Sequence, residues 1–107
     1  MLEGRTPTSE EKKWLDEISD LGCVVCRVFE STYSPASPHH IEGKVKPGAH
    51  KITIPLCFLH HQEGSDNDQY TSRHPYKARF EERYATEEEL LEMTRQLVEK
   101  KRQLEAR

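Results

Sequence analysis

Polar and apolar positions divide this chain into two periodic ends and an irregular middle. Near the N-terminus Trp14, Leu15, Ile18 and Leu21 recur at the three- and four-residue spacing of a helix face. Thr8 followed by Glu11 has the form of a capping box, so the pattern predicts a helix over residues 9–21, with Gly22 placed to end it. Thr86 followed by Glu89 repeats the box near the other end. From there Leu90, Leu91, Thr94, Leu97, Val98 and Leu104 trace the stripe of a long helix over residues 87–104. Its Glu/Lys/Arg face reads as a salt-bridged, solvated surface, and its inner stripe suits either the core or another subunit. Just before it, Tyr76, Phe80 and Tyr84 lie four apart and predict the packing seam of a further helix.

The middle lacks a helical period. STYSPASPHH is rich in proline, serine and threonine, which predicts a loop over residues 31–38. Pro38 favours extended backbone, and His39–Ile41 reads as a short strand. Gly43 to Gly48, with Pro47, forms a turn-rich connector. KITIPL alternates well enough for a second strand over residues 51–56, with Pro55 at an edge or at the entry to the next element. CFLHHQ suits a short helix with Cys57, His60 and His61 on one side, and GSDNDQYTSRHP is loop-like although it carries His74. No internal repeat is present. The expected organisation is one small α+β domain over residues 1–107. A helical extension (1–21), a strand–loop–strand–helix centre (22–75) and C-terminal helices (76–107) follow in order.

Composition limits how such a centre can be held together. Only 34% of residues are apolar and 33% are charged. A centre of roughly 60 residues then buries too little to stand alone, and a structural metal is the expected supplement. There is no apolar run long enough for a membrane span and no apolar stretch behind a basic N-terminus, so neither a span nor a signal peptide is expected. The formal charge of −3 argues against a strongly basic, salt-steered nucleic-acid binder. Charge is unevenly spread, however. Arg27, Lys44, Lys46 and Lys51 face only Glu30 and Glu42 between Arg27 and Gln62, and most of the histidines fall in the same stretch.

Cysteines and histidines carry the chemistry. Cys23 and Cys26 form a CVVC knuckle, and Cys57 and His60 repeat its two-residue spacing in LCFLHH. Three cysteines, an odd number, fit a disulfide framework poorly; as C-x2-C with C-x2-H they fit a tetrahedral zinc site in a reducing cytosol. A redox dithiol would leave Cys57 unexplained. His61 could replace His60 as the fourth ligand, since the spacing permits either. His39, His40, His61 and His74 exceed what one structural site requires. Adjacent histidines on an extended segment point in nearly opposite directions, so one can bind a metal while its neighbour addresses water or substrate. Three neutral imidazoles would make a second, divalent-metal site. The bland competitor is polar packing around a zinc module.

The ordered set GCVVC, SPHHIEG, IPLCFLHH and H-P-Y-x3-F-E-x-R-Y-x-T-E-E-E-L-L resembles the His–Asn–His (HNH), or ββα-metal, endonucleases. Within them it is most similar to the phage recombination-enhancement, RecA-dependent nucleases. The likeness runs from about Gly22 through Leu91. It implies a zinc-stabilised ββα-metal core flanked by helices. It also implies His39, His61 and His74 as ligands of a catalytic Mg2+ or other divalent ion, and His40 as general base. DNA would be the substrate, in some members DNA covered by a RecA filament, in the cytoplasm of a bacterial host. The chain departs from the pattern at the middle asparagine, which has no counterpart before PLC. His50 in GAHKIT is the candidate substitute through a hydrogen bond to backbone or to the His40 ring, and is otherwise an exposed loop histidine.

Together these readings predict hydrolysis of DNA phosphodiesters with little sequence preference. Arg27, Lys44, Lys46 and Lys51 are candidate phosphate contacts that position the backbone without reading bases. The rival reading is a zinc-stabilised nucleic-acid-binding or adaptor module without catalysis. The acidic balance and the missing asparagine favour the rival, whereas the second imidazole cluster favours the enzyme.

Overall fold

A computed structural model describes residues 6–106. Helix α1 (Ser9–Leu21) leads into the short helix α2 (Val24–Phe29). Strands β1 (Ser37–His40) and β2 (Thr53–Leu56) follow, then helices α3 (Phe58–His61), α4 (Lys77–Arg83) and α5 (Glu87–Glu105). The result is a small α+β fold in which one two-stranded antiparallel sheet is embraced by helices. Among the described residues no helix is long and apolar enough to cross a membrane.

Both capping boxes form. Thr8 Oγ1 accepts from the Glu11 amide at 3.2 Å and Glu11 returns the bond at 2.9 Å; Thr86 and Glu89 repeat the exchange. Each box satisfies two amides that would otherwise lack partners at the helix start. Trp14 both packs and bonds: its Nε1 donates to Thr53 Oγ1 at 2.9 Å, and that hydroxyl donates on to the His50 carbonyl at 3.0 Å. Ile18, Val25, Ile54, Leu56, Phe80 and Leu90 are fully buried and join α1, α2, β2, α4 and α5 in one core.

Several elements differ from the sequence pattern. Helix α2 lies where the sequence suggested only a knuckle; six residues give no period to read. β1 begins at Ser37, inside the expected loop. Its register pairs His39 with Ile54 and Pro38 with Pro55, and the Ile41 amide bonds the Ile52 carbonyl at 3.1 Å. Pro38 and Pro55 therefore face one another at a non-hydrogen-bonded pair, where the ladder needs no N–H from either. β2 begins only at Thr53, because Ala49–Lys51 winds into a 3₁₀ turn after Gly48, whose φ is 79°. All four β2 residues are buried rather than alternating. In the expected seam only Phe80 is fully buried. Tyr76 stays 39% exposed at the start of α4, and Leu104 on α5 is 57% exposed.

Gly22 closes α1 with φ 77°. A Cβ at this position would lie 2.7 Å from the Tyr33 ring and 2.8 Å from the Ser34 carbonyl oxygen. We expect Gly22→Ala to destabilise the fold by about 2–3 kcal/mol, measured by denaturant unfolding, from strain and crowding together. Parent-like stability would show that the junction relaxes freely.

A second prediction concerns the far end of α5, where Arg102 forks onto Glu17 of α1 at 2.6 and 2.7 Å. These bonds hold the Glu17 carboxyl below its usual range, against the opposing effect of burial. A depressed folded value contributes stability above the unfolded value of 4.5, which is lost as pH falls through the folded value. Arg102→Ala should cost about 0.5–1 kcal/mol at neutral pH, the modest worth of a half-exposed pair. The gap from the parent should begin to narrow as pH falls through 4.5 and close once pH lies below the depressed folded value.

Candidate metal centres and histidine cleft

Two ligand sets flank α3. Cys23 caps α2, Cys26 sits within it, Cys57 caps α3 and His60 lies one turn further on. All four are buried, and their ligand atoms lie within 4.8 Å of one another. Cys26 Sγ and Cys57 Sγ are 3.8 Å apart, while His60 Nδ1 lies 3.5, 3.5 and 3.1 Å from Cys23, Cys26 and Cys57. A tetrahedron with ordinary zinc bond lengths separates sulfurs by roughly 3.8 Å and sulfur from nitrogen by roughly 3.5–3.6 Å. The fit is close except at Cys57, which stands nearer His60.

The electrostatics point the same way. A hydrogen bond from Cys23 draws the Cys57 thiol down toward ionisation, while the same bond and burial push Cys23 up. Burial also raises Cys26. Such a cluster takes one negative charge readily and resists the next, and a divalent cation removes that resistance. These residues could hold a metal such as zinc. Glu30 Oε2 lies 3.0 Å from His60 Nε2, off the N–H direction, as a nearby charge rather than an aligned acceptor.

His61 turns the other way. With His39 of β1 and His74 of the following loop it forms a second set, again within 4.8 Å. Ring centroids are 4.9 Å (His39–His61), 5.3 Å (His39–His74) and 5.2 Å (His61–His74) apart. Neighbouring backbone places His74: the Arg73 amide bonds the His60 carbonyl at 2.8 Å and the His74 amide bonds the His61 carbonyl at 2.9 Å. Ser72 Oγ ties to the Leu59 carbonyl at 2.6 Å. Burial, then the charge of neighbouring rings, holds His61 down to about 4; burial and Arg73 lower His74 as well. Both rings are therefore neutral near pH 7, and the Arg73 guanidinium stands 3.3 Å from His74 Nδ1.

His40 points away from its neighbour, as strand geometry requires. Its Nε2 lies 2.9 Å from His50 Nδ1, and His50 is buried rather than exposed on a loop. Burial, followed by His50, Lys44 and His39, lowers His40 to about 4. His39, His40, Lys44, His61, Arg73 and His74 line one open cleft of about 540 Å³.

The candidate phosphate contacts do not gather. Lys44 reaches the cleft. Lys46 pairs with Glu42 at 2.9 Å, and Lys51 lies 3.8 Å from Glu10, beside Trp14 and Arg102 on another face. Arg27 donates to the Leu21 carbonyl at 3.3 Å and lines a groove with Leu97 and Lys101.

Two residues escaped the sequence reading. Arg73 lines the cleft. Glu87, at the start of α5, is 1% exposed and brings Oε2 to 2.5 Å from His39 Nε2. Arg73 Nε lies 3.3 Å from the same oxygen, and Lys77 Nζ lies 3.9 Å from Oε1. Burial acts to raise the Glu87 carboxyl, but its contacts with His39 and Arg73 outweigh that and hold it low. In the run TEEEL nothing separates Glu87 from its neighbours, which serve the cap and the solvent.

A Cys3His group that could hold a metal such as zinc thus lies beside an imidazole-lined cleft, both built on a small α+β frame. A sequence model for the recombination enhancement, RecA-dependent nucleases matches residues 7–99, and the chain belongs to that family. Membership supports a nuclease role in RecA-dependent recombination enhancement.

The Cys3His cluster generates its own prediction. Purified protein should carry one tightly held zinc per chain, and Cys57→Ser should release it and unfold the centre, read by metal analysis and circular dichroism. A folded Cys57→Ser protein with unchanged zinc would reject Cys57 as a ligand.

Proposed function

We propose that the chain is an HNH-type, divalent-metal-dependent endonuclease that hydrolyses DNA phosphodiesters with little sequence preference. The segment from β1 to α3 would be its ββα-metal element. The observation that carries this reading is the convergence of His39, His61 and His74 on one cleft, with His40 beside them and bonded to His50. The donors suit a divalent cation: three imidazoles from three segments, two of them held neutral by burial. When bound there, the ion supplies positive charge against the phosphoryl oxygens and the leaving oxygen.

The remaining work falls to the side chains. His40 acts as general base, which needs a neutral ring with one bare nitrogen turned to water. Donation from His40 Nε2–H to His50 Nδ1 leaves His40 Nδ1 bare. In this role His50 replaces the family's asparagine as the group that fixes the base. Lys44 and Arg73, at the cleft, attract and orient the phosphate backbone, contacts that would position the strand without reading bases. RecA-coated DNA is the favoured substrate, since family membership points to a RecA-dependent process.

His40→Ala should leave both metal sites occupied and reduce cleavage by about 100-fold or more. His50→Ala should also slow cleavage, and His50→Asn should restore much of it. His39→Ala or His61→Ala should weaken the second metal as well as activity. The assay pairs Mg2+ and Mn2+ with naked single-stranded, duplex and RecA-coated DNA. Parent-rate cleavage by His40→Ala on all three would remove His40 as base. DNA binding by the parent without cutting under any condition would favour the zinc-stabilised binding module.

A further inference from the structure

We propose that Glu87 is a positioning residue for the histidine site: it fixes the ring of His39 so that Nδ1, and not Nε2, is offered to the cation. The inference rests on the metal-site reading above and adds an outer carboxylate to it, supplied by the C-terminal helix. His39 is 4% exposed, and one of its two nitrogens is already engaged, Nε2 at 2.5 Å from Glu87 Oε2. A carboxylate accepts and cannot donate, so this contact selects the Nε2–H tautomer and leaves Nδ1 with its lone pair. Ligating histidines commonly direct their second nitrogen to such a carboxylate, which orients the ring and makes the ligand more basic. Glu87 itself stands outside the compact set formed by His39, His61 and His74.

The carboxylate has cations beside it, and the backbone that carries it is pinned. Arg73 and Lys77 supply positive charge at 3.3 and 3.9 Å, and the Glu87 amide donates to Glu81 Oε2 at 2.8 Å. A glutamate needed only to complement the helix dipole has no reason to be 1% exposed, because exposed Glu88 and Glu89 in the same turn already supply that charge. Burying it carries a desolvation cost, and the partner that its position selects is the ring of His39.

Three measurements test this on the full zinc-loaded chain. Ring-nitrogen NMR of the parent, before any second metal is added, should show His39 as the Nε2–H tautomer; an Nδ1–H tautomer overturns the proposal. Titration with Mn2+ should show Glu87→Gln, which keeps an acceptor oxygen but loses the charge, binding about 10-fold more weakly. Glu87→Ala should lose up to about 100-fold. Zinc content and circular dichroism should match the parent in both variants, with His39→Ala setting the level for a missing ligand. Parent-like Mn2+ affinity in folded Glu87→Gln overturns the proposal alone and assigns Glu87 a purely structural role. A parent that takes up no ion beyond zinc overturns the histidine-site reading and this inference with it. Should Glu87→Ala fail to fold, the parent spectrum and Glu87→Gln still decide.

Discussion

Everything at the two centres hangs on a single helical turn. His60 and His61 are adjacent on α3, and successive helical residues project about 100° apart. One ring therefore enters the cysteine cluster and the next enters the histidine cleft. Four residues cannot hold a helix by backbone bonds alone. Cys57 and His60 anchor the turn on one side, and the Ser72 hydroxyl with the Arg73 and His74 amides laces it on the other. The geometry of the cleft is thus inherited from the cysteine cluster. Movement at one ligand of the first site would displace a ligand of the second.

The terminal helices were legible because each announces itself twice, once in its capping box and once in its apolar stripe. The grouping of Cys23, Cys26, Cys57 and His60 was legible because their spacing survives whatever the backbone does between the pairs. Sequence spacing left His60 and His61 interchangeable; only the direction of the turn divides them. Strand limits were misread where proline and glycine pull against each other. Pro38 looked like the end of a loop, yet its partner across the sheet is another proline that makes no demand on it. Glu87 was invisible for a different reason: its role comes from a contact 48 positions away in sequence, and its neighbours look the same.

Charge shows a similar division between residue type and place. The central stretch is mildly basic by count, but Lys46 and Lys51 sit against carboxylates and Arg27 serves the end of α1. Among the side chains that line the cleft, Lys44 and Arg73 carry the positive charge. An overall acidic protein can in this way present a local cationic surface, to which any cation bound by the imidazoles would add. If the proposed nuclease reading holds, so few cationic contacts would make DNA affinity depend less steeply on salt than that of a lysine-rich binder.

The facing prolines of the sheet have a consequence beyond register. At a non-hydrogen-bonded pair the two amides point outward, toward the strand edges where a neighbouring chain would dock. Pro38 and Pro55 remove one donor from each outer edge of a sheet only two strands wide. A third strand, from another copy or a misfolded chain, would meet a gap in the ladder on either side. The two breaks in the ladder fall in the residues that lead into His39 and Cys57, beside both Cys/His groups.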